Sequence, residues 1–172
     1  MNENPKDRFR LGVGMVLVNK DKEIFAGKRN STNIKMISWF LNRPWQMPQG
    51  GIEENETPYE AALRELDEEI GTNNVELIAE TEDWLEYIIP PNLRRKESRF
   101  MGQRQKWFLL KFLGEDKDIN LKTTNHSEFD SWRWMKPGNV VRLSVNFKRN
   151  LYVEVFKRFK DFFTENNKSL TS

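Results

Sequence analysis

Apolar and polar positions along the chain repeat with two different periods, and the change of period marks the elements. Residues 11–18 (LGVGMVLV) are a continuous apolar, β-branched run of strand length, which predicts a buried strand. Turn composition at 19–22 lets residues 23–27 return as a paired strand. Residues 75–80 and 84–89 alternate as two more strands, the second ended by Pro90 and Pro91. The run 107–113 (WFLLKFL) is apolar almost throughout, and 129–135 (FDSWRWM) alternates again.

Two stretches carry the helical period. Thr57 followed by Glu60 is a capping box, Pro58 falls at the first helical position, and Gly71 supplies a left-handed residue just past the end. Between those signals Tyr59, Ala62, Leu63, Leu66 and Ile70 gather on one side of a three- to four-turn helix. Near the C-terminal end, Phe147, Leu151, Val155, Phe159 and Phe163 recur at four-residue steps, with Tyr152 and Phe156 beside them. This predicts one amphipathic closing helix over 145–165. Strands around a central helix, with a long helix at the end, predict an α/β/α sandwich around a mixed sheet.

Composition narrows the chemistry. The 172 residues, 37% hydrophobic and 12% aromatic, suffice for one well-packed domain, with a core over about 9–160 and loose ends at 1–7 and 166–172. There is no cysteine, which excludes disulfides and thiolate metal sites and is compatible with a reducing compartment. The first ten residues are polar and charged, and no apolar run reaches membrane-spanning length, so a cytoplasmic protein with no membrane partner is expected. A net charge of +2 is too small to mark a nucleic-acid-binding protein by its sum alone. His126 is the single histidine, which removes histidine triads and multi-histidine metal sites. Carboxylates must carry the chemistry.

The first helix supplies them. Glu65, Glu68 and Glu69 share a stripe beside the apolar one, repel each other at i, i+3 and i+4 spacing, and are followed by no Lys or Arg within the helix. Such a stripe is either a solvated acidic face or a site for a hard divalent cation such as Mg²⁺, which takes oxygen ligands and shares them with substrate phosphates. Arg64 is either the i,i+4 partner of Glu68 or an arginine that orients a carboxylate of the stripe. Just upstream, Pro48 in WQMPQGG ends a strand, and Gly50 and Gly51 permit a sharp turn and a close backbone approach to a ligand or metal.

Other segments keep two readings. Lys28 and Arg29 are a solvated strand end or face phosphates beside the acidic helix. Residues 30–44 read as an insertion or lid whose apolar side chains cover part of the core or bind a ligand. The connection 92–106 holds Arg94, Arg95, Lys96, Arg99, Arg104 and Lys106 against Glu97, with Phe100 among them. It is a solvated loop or a track for single-stranded RNA. Glu128 is a loop carboxylate or a further acid reaching the helix site. Phe147, Lys148 and Arg149 stand near the start of the closing helix, where they are core or reach a ligand.

Gly50, Glu56, Arg64, Glu65, Leu66, Glu68, Glu69 and Gly71 stand in the spacing Gly, five residues, Glu, seven residues, Arg-Glu-aliphatic-any-Glu-Glu-any-Gly, which resembles the Nudix box. Thr72 departs from it where the family prefers an aliphatic residue. The flanking RPWQMPQGG, GQRQKWFLLKF, EFDSWRWM and VNFKRNLY extend the resemblance over about 9–159 and look like the family's bacterial RNA pyrophosphohydrolase group, which adjoins the diadenosine polyphosphate hydrolases. Segment 30–42 is longer than that group's pattern.

The resemblance implies a Nudix-type fold and a monomeric enzyme that uses Mg²⁺ or Mn²⁺ to convert 5′-triphosphate or diphosphate RNA ends to 5′-monophosphates, a step in mRNA decay. By motif position, Glu65, Glu68, Glu69 and Glu128, with Gly50, hold the metal, and Arg64 completes the catalytic set. Which carboxylate is the base stays open. Arg10, Arg29, Gln49, Phe147 and Lys148 match substrate positions, Phe147 as a stacking platform for a base. The alternatives are a dinucleoside polyphosphate hydrolase using the same metals and, in a different class, a non-catalytic nucleotide or RNA sensor.

Overall fold

The computed structural model describes residues 8–29, 45–122 and 128–164. The insertion at 30–44, the two termini and His126 lie outside the described residues.

The strands are β1 (Phe9–Val18), β2 (Ile24–Arg29), β3 (Trp45–Gln46), β4 (Gln49–Gly51), β5 (Val75–Glu80), β6 (Leu85–Ile88), β7 (Gly102–Phe112) and β8 (Phe129–Met135). The helices are α1 (Pro58–Ile70), α2 (Pro137–Leu143), α3 (Asn146–Arg158) and α4 (Lys160–Thr164). One mixed sheet joins the strands in the order β3-β2-β1-β7-β5, with β4 paired to β1, β6 to β7 and β8 to β2. Strands β1 and β7 run parallel through ten registered pairs, from Phe9↔Gly102 to Val18↔Lys111, and form the spine.

Alternation along β1 divides the core between the two faces of the sheet. Val13, Met15 and Leu17 pack with Ala61, Ala62, Leu66 and Ile70 of α1. Val16 and Val18 pack with Leu151, Tyr152 and Val155 of α3. The helices thus cover opposite faces, the layered arrangement the sequence predicts.

Next to the spine the sheet forks. Among the described residues β1 and β2 are registered at Val18↔Ile24 alone. Beyond that end they separate, and segment 45–51 spans the opening: β3 pairs with β2 through Gly27↔Gln46, and β4 pairs with β1 through Val13↔Gly50. Met47 and Pro48 make the crossing, held by Met15 N–H donating to the Pro48 carbonyl at 3.0 Å and Met47 N–H donating to the Tyr152 hydroxyl at 3.1 Å.

Four expectations change. Strand β7 starts at Gly102, five residues earlier than the apolar run, because its first residues lie between β1 and β6, where the ladder rather than apolarity sustains the strand. The closing helix is broken: α3 ends at Arg158, Phe159 leaves the helical backbone at φ −103° and ψ 15°, and in α4 the Phe162 carbonyl accepts from Lys22 Nζ at 2.6 Å. Helix α2, which begins with Pro137 at its first turn, was not anticipated. Gly50 and Gly51 lie in a strand and make no sharp turn; the positive-φ glycine among the described residues is Gly71, which ends α1 at φ 76°.

Candidate active site

Helix α1 begins and ends as its sequence dictates. Glu60 N–H donates to Thr57 Oγ1 at 3.2 Å while Thr57 N–H donates to Glu60 Oε2 at 2.7 Å, and Gly71 N–H donates to the Asp67 carbonyl. These caps set the rotation of the helix, and with it where each carboxylate points. Glu68 is half exposed in its side chain, Glu65 only 17%. Glu69 is 5% exposed, so it belongs to the buried side of the helix and not to a separate polar stripe.

Both Glu69 carboxylate oxygens lack a hydrogen-bond partner among the described residues. Burial pushes the Glu69 carboxyl well above the usual carboxylate range; the charges of Glu128 and Glu65 add to the shift, and the Gln49 backbone and Lys148 oppose it. Burial also raises Glu65, with Arg64 opposing and Glu68 and Glu128 reinforcing. With two acidic neighbours and no well-formed hydrogen bond to either oxygen, this buried carboxylate is poorly stabilised even with the Gln49 backbone and Lys148 nearby, and a cation is the complement it lacks.

Arg64 ties the cluster together. Its Nε and Nη2 donate to the two oxygens of Glu56 at 3.0 and 2.6 Å, Nη2 also donates to the Gly51 carbonyl at 2.9 Å, and Nη1 donates to Glu65 at 3.0 Å. The contact with Glu68 is looser, at 3.5 Å. Of the two sequence readings, geometry favours the arginine that orients Glu56 and Glu65 against β4. A Cβ on Gly50 would land inside the Glu65 carboxyl, and one on Gly51 would land on the Arg10 guanidinium. Gly50 is thus required by close approach, because Arg64 holds the Glu65 carboxyl in place, whereas at Gly51 the atoms met are the far end of a flexible arginine.

Among the described residues no three acidic side chains converge tightly enough to hold an ion as placed. Their chemistry nevertheless fits a hard divalent metal: oxygen donors, one buried and unpartnered, beside a backbone segment with no side chain in the way.

Across the fork, α3 contributes the opposite charge. Lys148 is 3% exposed, and its Nζ donates to Gln46 Oε1 at 3.1 Å and Gln49 Oε1 at 2.9 Å. Burial pushes it down to about 7; Arg29 reinforces this, and Glu128 and Glu69 oppose it. Gln49 Nε2 donates to the Tyr87 hydroxyl at 3.4 Å, and the Tyr87 ring stacks on Phe147 at 6.1 Å between centroids and 25° between planes. Burial pushes the Tyr87 phenol up to about 12; Gln49, Arg29 and Arg10 oppose it and Glu128 reinforces it.

In register, Tyr87 lies opposite Gln103, and Gln103 opposite Arg10, so these three share one row on the face covered by α3. The exposed Glu128 precedes β8, and its charge acts on Glu65, Glu69, Tyr87 and Lys148 alike. The structure therefore gathers Glu65, Glu69, Glu128, Gly50, Gln49, Arg29, Arg10, Phe147 and Lys148 around the fork, with Glu68 at its outer edge. Sequence reading missed Tyr87, Gln46, Gln103 and Gln105. Gln46 and Gln105 are 1% and 0% exposed, and Gln105 Nε2 donates to Gln103 at 2.9 Å. The polar spacing in GQRQKW is the one local signal that marks two of them. Lys28, by contrast, is exposed, and Arg104 leans on Glu86 at 3.5 Å in the β6–β7 ladder, away from the row of Arg10.

Comparison with known proteins bears on the family and the fold. The family model described as NUDIX domain matches residues 8–155. A protein named RNA pyrophosphohydrolase from Orientia tsutsugamushi (strain Boryong) is 46% identical over 156 residues, covering 90% of this chain and 91% of the relative. One of the same name from Rickettsia typhi is 46% identical over 154 residues, covering 88% and 90%. Among solved structures, the E. coli dihydroneopterin triphosphate pyrophosphohydrolase superposes with a TM-score of 0.63 at 21% identity, over 86% of this chain and 96% of that one. A C. elegans Ap4A hydrolase does so with 0.59 at 16% identity, over 90% and 98%, and both likenesses concern the fold. With the box on a capped helix, the mixed sheet between two helical layers and relatives of this identity along most of its length, the chain belongs to the Nudix family.

Proposed function

We propose that this chain is an RNA pyrophosphohydrolase, a Nudix hydrolase of phosphoanhydride bonds that removes pyrophosphate from 5′-triphosphorylated RNA, or phosphate from diphosphorylated RNA, and leaves a 5′-monophosphate end. The observation that carries the reading is the buried Glu69, both of whose oxygens lack a hydrogen-bond partner among the described residues, with Lys148 across the fork feeling both its charge and that of Arg29: a place for a cation on one side and for phosphate on the other. Relatives named RNA pyrophosphohydrolase at 46% identity support the substrate class.

Glu65, Glu68, Glu69 and Glu128, with the Gly50 backbone, are the groups that would hold Mg²⁺ or Mn²⁺, which when bound supplies neutralisation of the phosphate oxygens and acidification of water. Arg64 holds Glu65 in its rotamer through its salt bridge and fixes Glu56 beside it. Arg29, Lys148 and Arg10 bind the phosphate chain, and Phe147 stacked on Tyr87 offers a ring face to a base. Water attacks phosphorus, the anhydride P–O bond breaks with its electron pair leaving on pyrophosphate, and a carboxylate of the cluster accepts the proton.

The test compares 5′-triphosphorylated RNA with diadenosine tetraphosphate in Mg²⁺ and in Mn²⁺. Pyrophosphate release with a higher kcat/KM on RNA is the expected result. Faster cleavage of the dinucleotide would make the chain a dinucleoside polyphosphate hydrolase, and no hydrolysis of either would make it a sensor.

A further inference from the structure

The β6–β7 connection is built, and it begins where the proposed substrate row ends. Leu93 N–H donates to the Pro90 carbonyl, Arg94 Nε to the Ile89 carbonyl at 2.7 Å, and Ser98 N–H to the Arg95 carbonyl at 3.0 Å. The segment returns through Ile89 N–H donating to the Met101 carbonyl and Met101 N–H donating to the Arg8 carbonyl at 2.8 Å. Arg8 stands just before β1, two residues from Arg10. Tyr87, which stacks on Phe147, is two residues before Ile89, where the loop is anchored.

The loop's side chains are turned outward. Arg95, Lys96 and Arg99 are exposed, as is Arg8, and the opposing charge between Arg94 and Arg99 is Glu97 alone. Among the described residues Arg94, Arg95, Lys96 and Arg99 take part in no ion pair, whereas Arg158 is held by Asp83 and Glu154 and Arg104 by Glu86. Arg99 instead lies over the half-buried Phe100 ring, 5.0 Å from its centroid, which joins a cation and a flat apolar face in one platform. Unpaired cations beside an aromatic, at the open end of a row that holds a 5′ end, match a flexible single-stranded polyanion.

Resting on the function proposed above, we propose that Arg8, Arg95, Lys96 and Arg99, with the Phe100 platform, form a track for the RNA phosphates that lie 3′ of the processed end. The chain would then gain catalytic efficiency from RNA length, and that gain would be steeply salt-dependent. Every phosphate that the track no longer neutralises takes about 0.7 off the log–log salt slope for a single strand, so three of them take off about 2.

The experiment measures kcat/KM against salt for a 5′-triphosphorylated RNA of a few nucleotides and for one of some tens of nucleotides with the same 5′ sequence. Arg94 is left in place because it ties the loop backbone. In the triple variant Arg95→Gln, Lys96→Gln and Arg99→Gln, the short RNA is expected to be processed as in the unaltered protein, while the long RNA loses its advantage and its extra slope. Glu97→Lys is expected to act oppositely, steepening the slope on the long RNA alone, and gives a second readout should the triple variant melt early. Activity on the short RNA reports the underlying function by itself. A triple variant that keeps that activity and an unchanged slope on the long RNA would overturn the track without touching the function, and would point to an acidic protein as the partner of this surface.

Discussion

Helices α1 and α3 face the same fork from opposite sides of the sheet, yet they are specified in different ways. Helix α1 carries its own instructions: a reciprocal capping box, proline in the first turn and a left-handed glycine at the end. Helix α3 has no side-chain cap, its first turn begins after an extended Val145, and it buries a lysine among its apolar residues. The acidic side of the site is thus placed by local rules, while the basic side is placed by what α3 packs against. Local signals survive a change elsewhere in the molecule; packing-derived positions depend on the whole sheet.

The largest break in this comparison is expected on α1. Glu68→Gln and Glu69→Gln should each lower kcat on triphosphorylated RNA by about 10²- to 10⁴-fold, the usual span for removing an acid–base or charge-stabilising group. Chelation should do the same without unfolding the protein, because the apolar face of α1 anchors it. Glu69→Gln should at the same time make the metal-free protein more stable at pH 8, by about 1–3 kcal/mol, since it removes a buried charge without a partner. The sign follows from the raised carboxyl: the folded state holds the proton more tightly than the unfolded one, so ionisation above the unfolded pKa lowers stability, and the amide does not ionise. Near-normal turnover in both variants would return the stripe to a solvated acidic face.

Gly50→Ala is the next largest. The added carbon meets the Glu65 carboxyl and must displace it, and a displacement of an ångström in a catalytic group costs about 100-fold. Gly138→Ala in α2 meets nothing within 4 Å and should gain about 0.5–1 kcal/mol of stability with unchanged activity. Parallel melting curves and turnover for the two glycines would separate a positional demand from a general one.

On the α3 side the effect should move to KM. Phe147→Ala removes the ring stacked on Tyr87 and is expected to weaken RNA use by about 10-fold with kcat less changed, in keeping with about 1–3 kcal/mol per stacked base. A loss confined to kcat would mean that the ring positions the reacting groups instead.

The last test is a pH slope in stability, with no effect on turnover required. Lys148 lies at about 7 in the folded protein and near 10.4 when unfolded, so between those values the unfolded chain binds more protons and stability rises with pH. Lys148→Met should flatten urea-measured stability across pH 7–10. A slope that persists would place the titrating group elsewhere.

How much of this was legible locally can be argued residue by residue. The strands β1, β5, β6 and β8 and helix α1 follow from period, caps and prolines, because those signals act within a few residues. The carboxylates were legible for the same reason, as was the Nudix resemblance. The start of β7 was not, since Gln103 and Gln105 extend the strand through neighbours on both sides and not through their own apolarity. The break at Phe159 was missed because four-residue steps continue across it, and the backbone turns there so that α4 can reach Lys22.

By itself, then, the sequence determined the mixed α/β architecture, the two ends of α1, the spacing of Glu65, Glu68 and Glu69 and the family. Only the tertiary structure decided that Glu69 is buried without a partner, that Arg64 binds Glu56 in preference to Glu68, that Tyr87 and Phe147 stack, and that Lys148 is held by Gln46 and Gln49. The physical reason is the fork: β1 and β2 separate after one registered pair, and segment 45–51 bridges the opening between them. The helices on either face meet there through side chains far apart in the chain, and no period or cap written along a single stretch can encode a meeting between stretches.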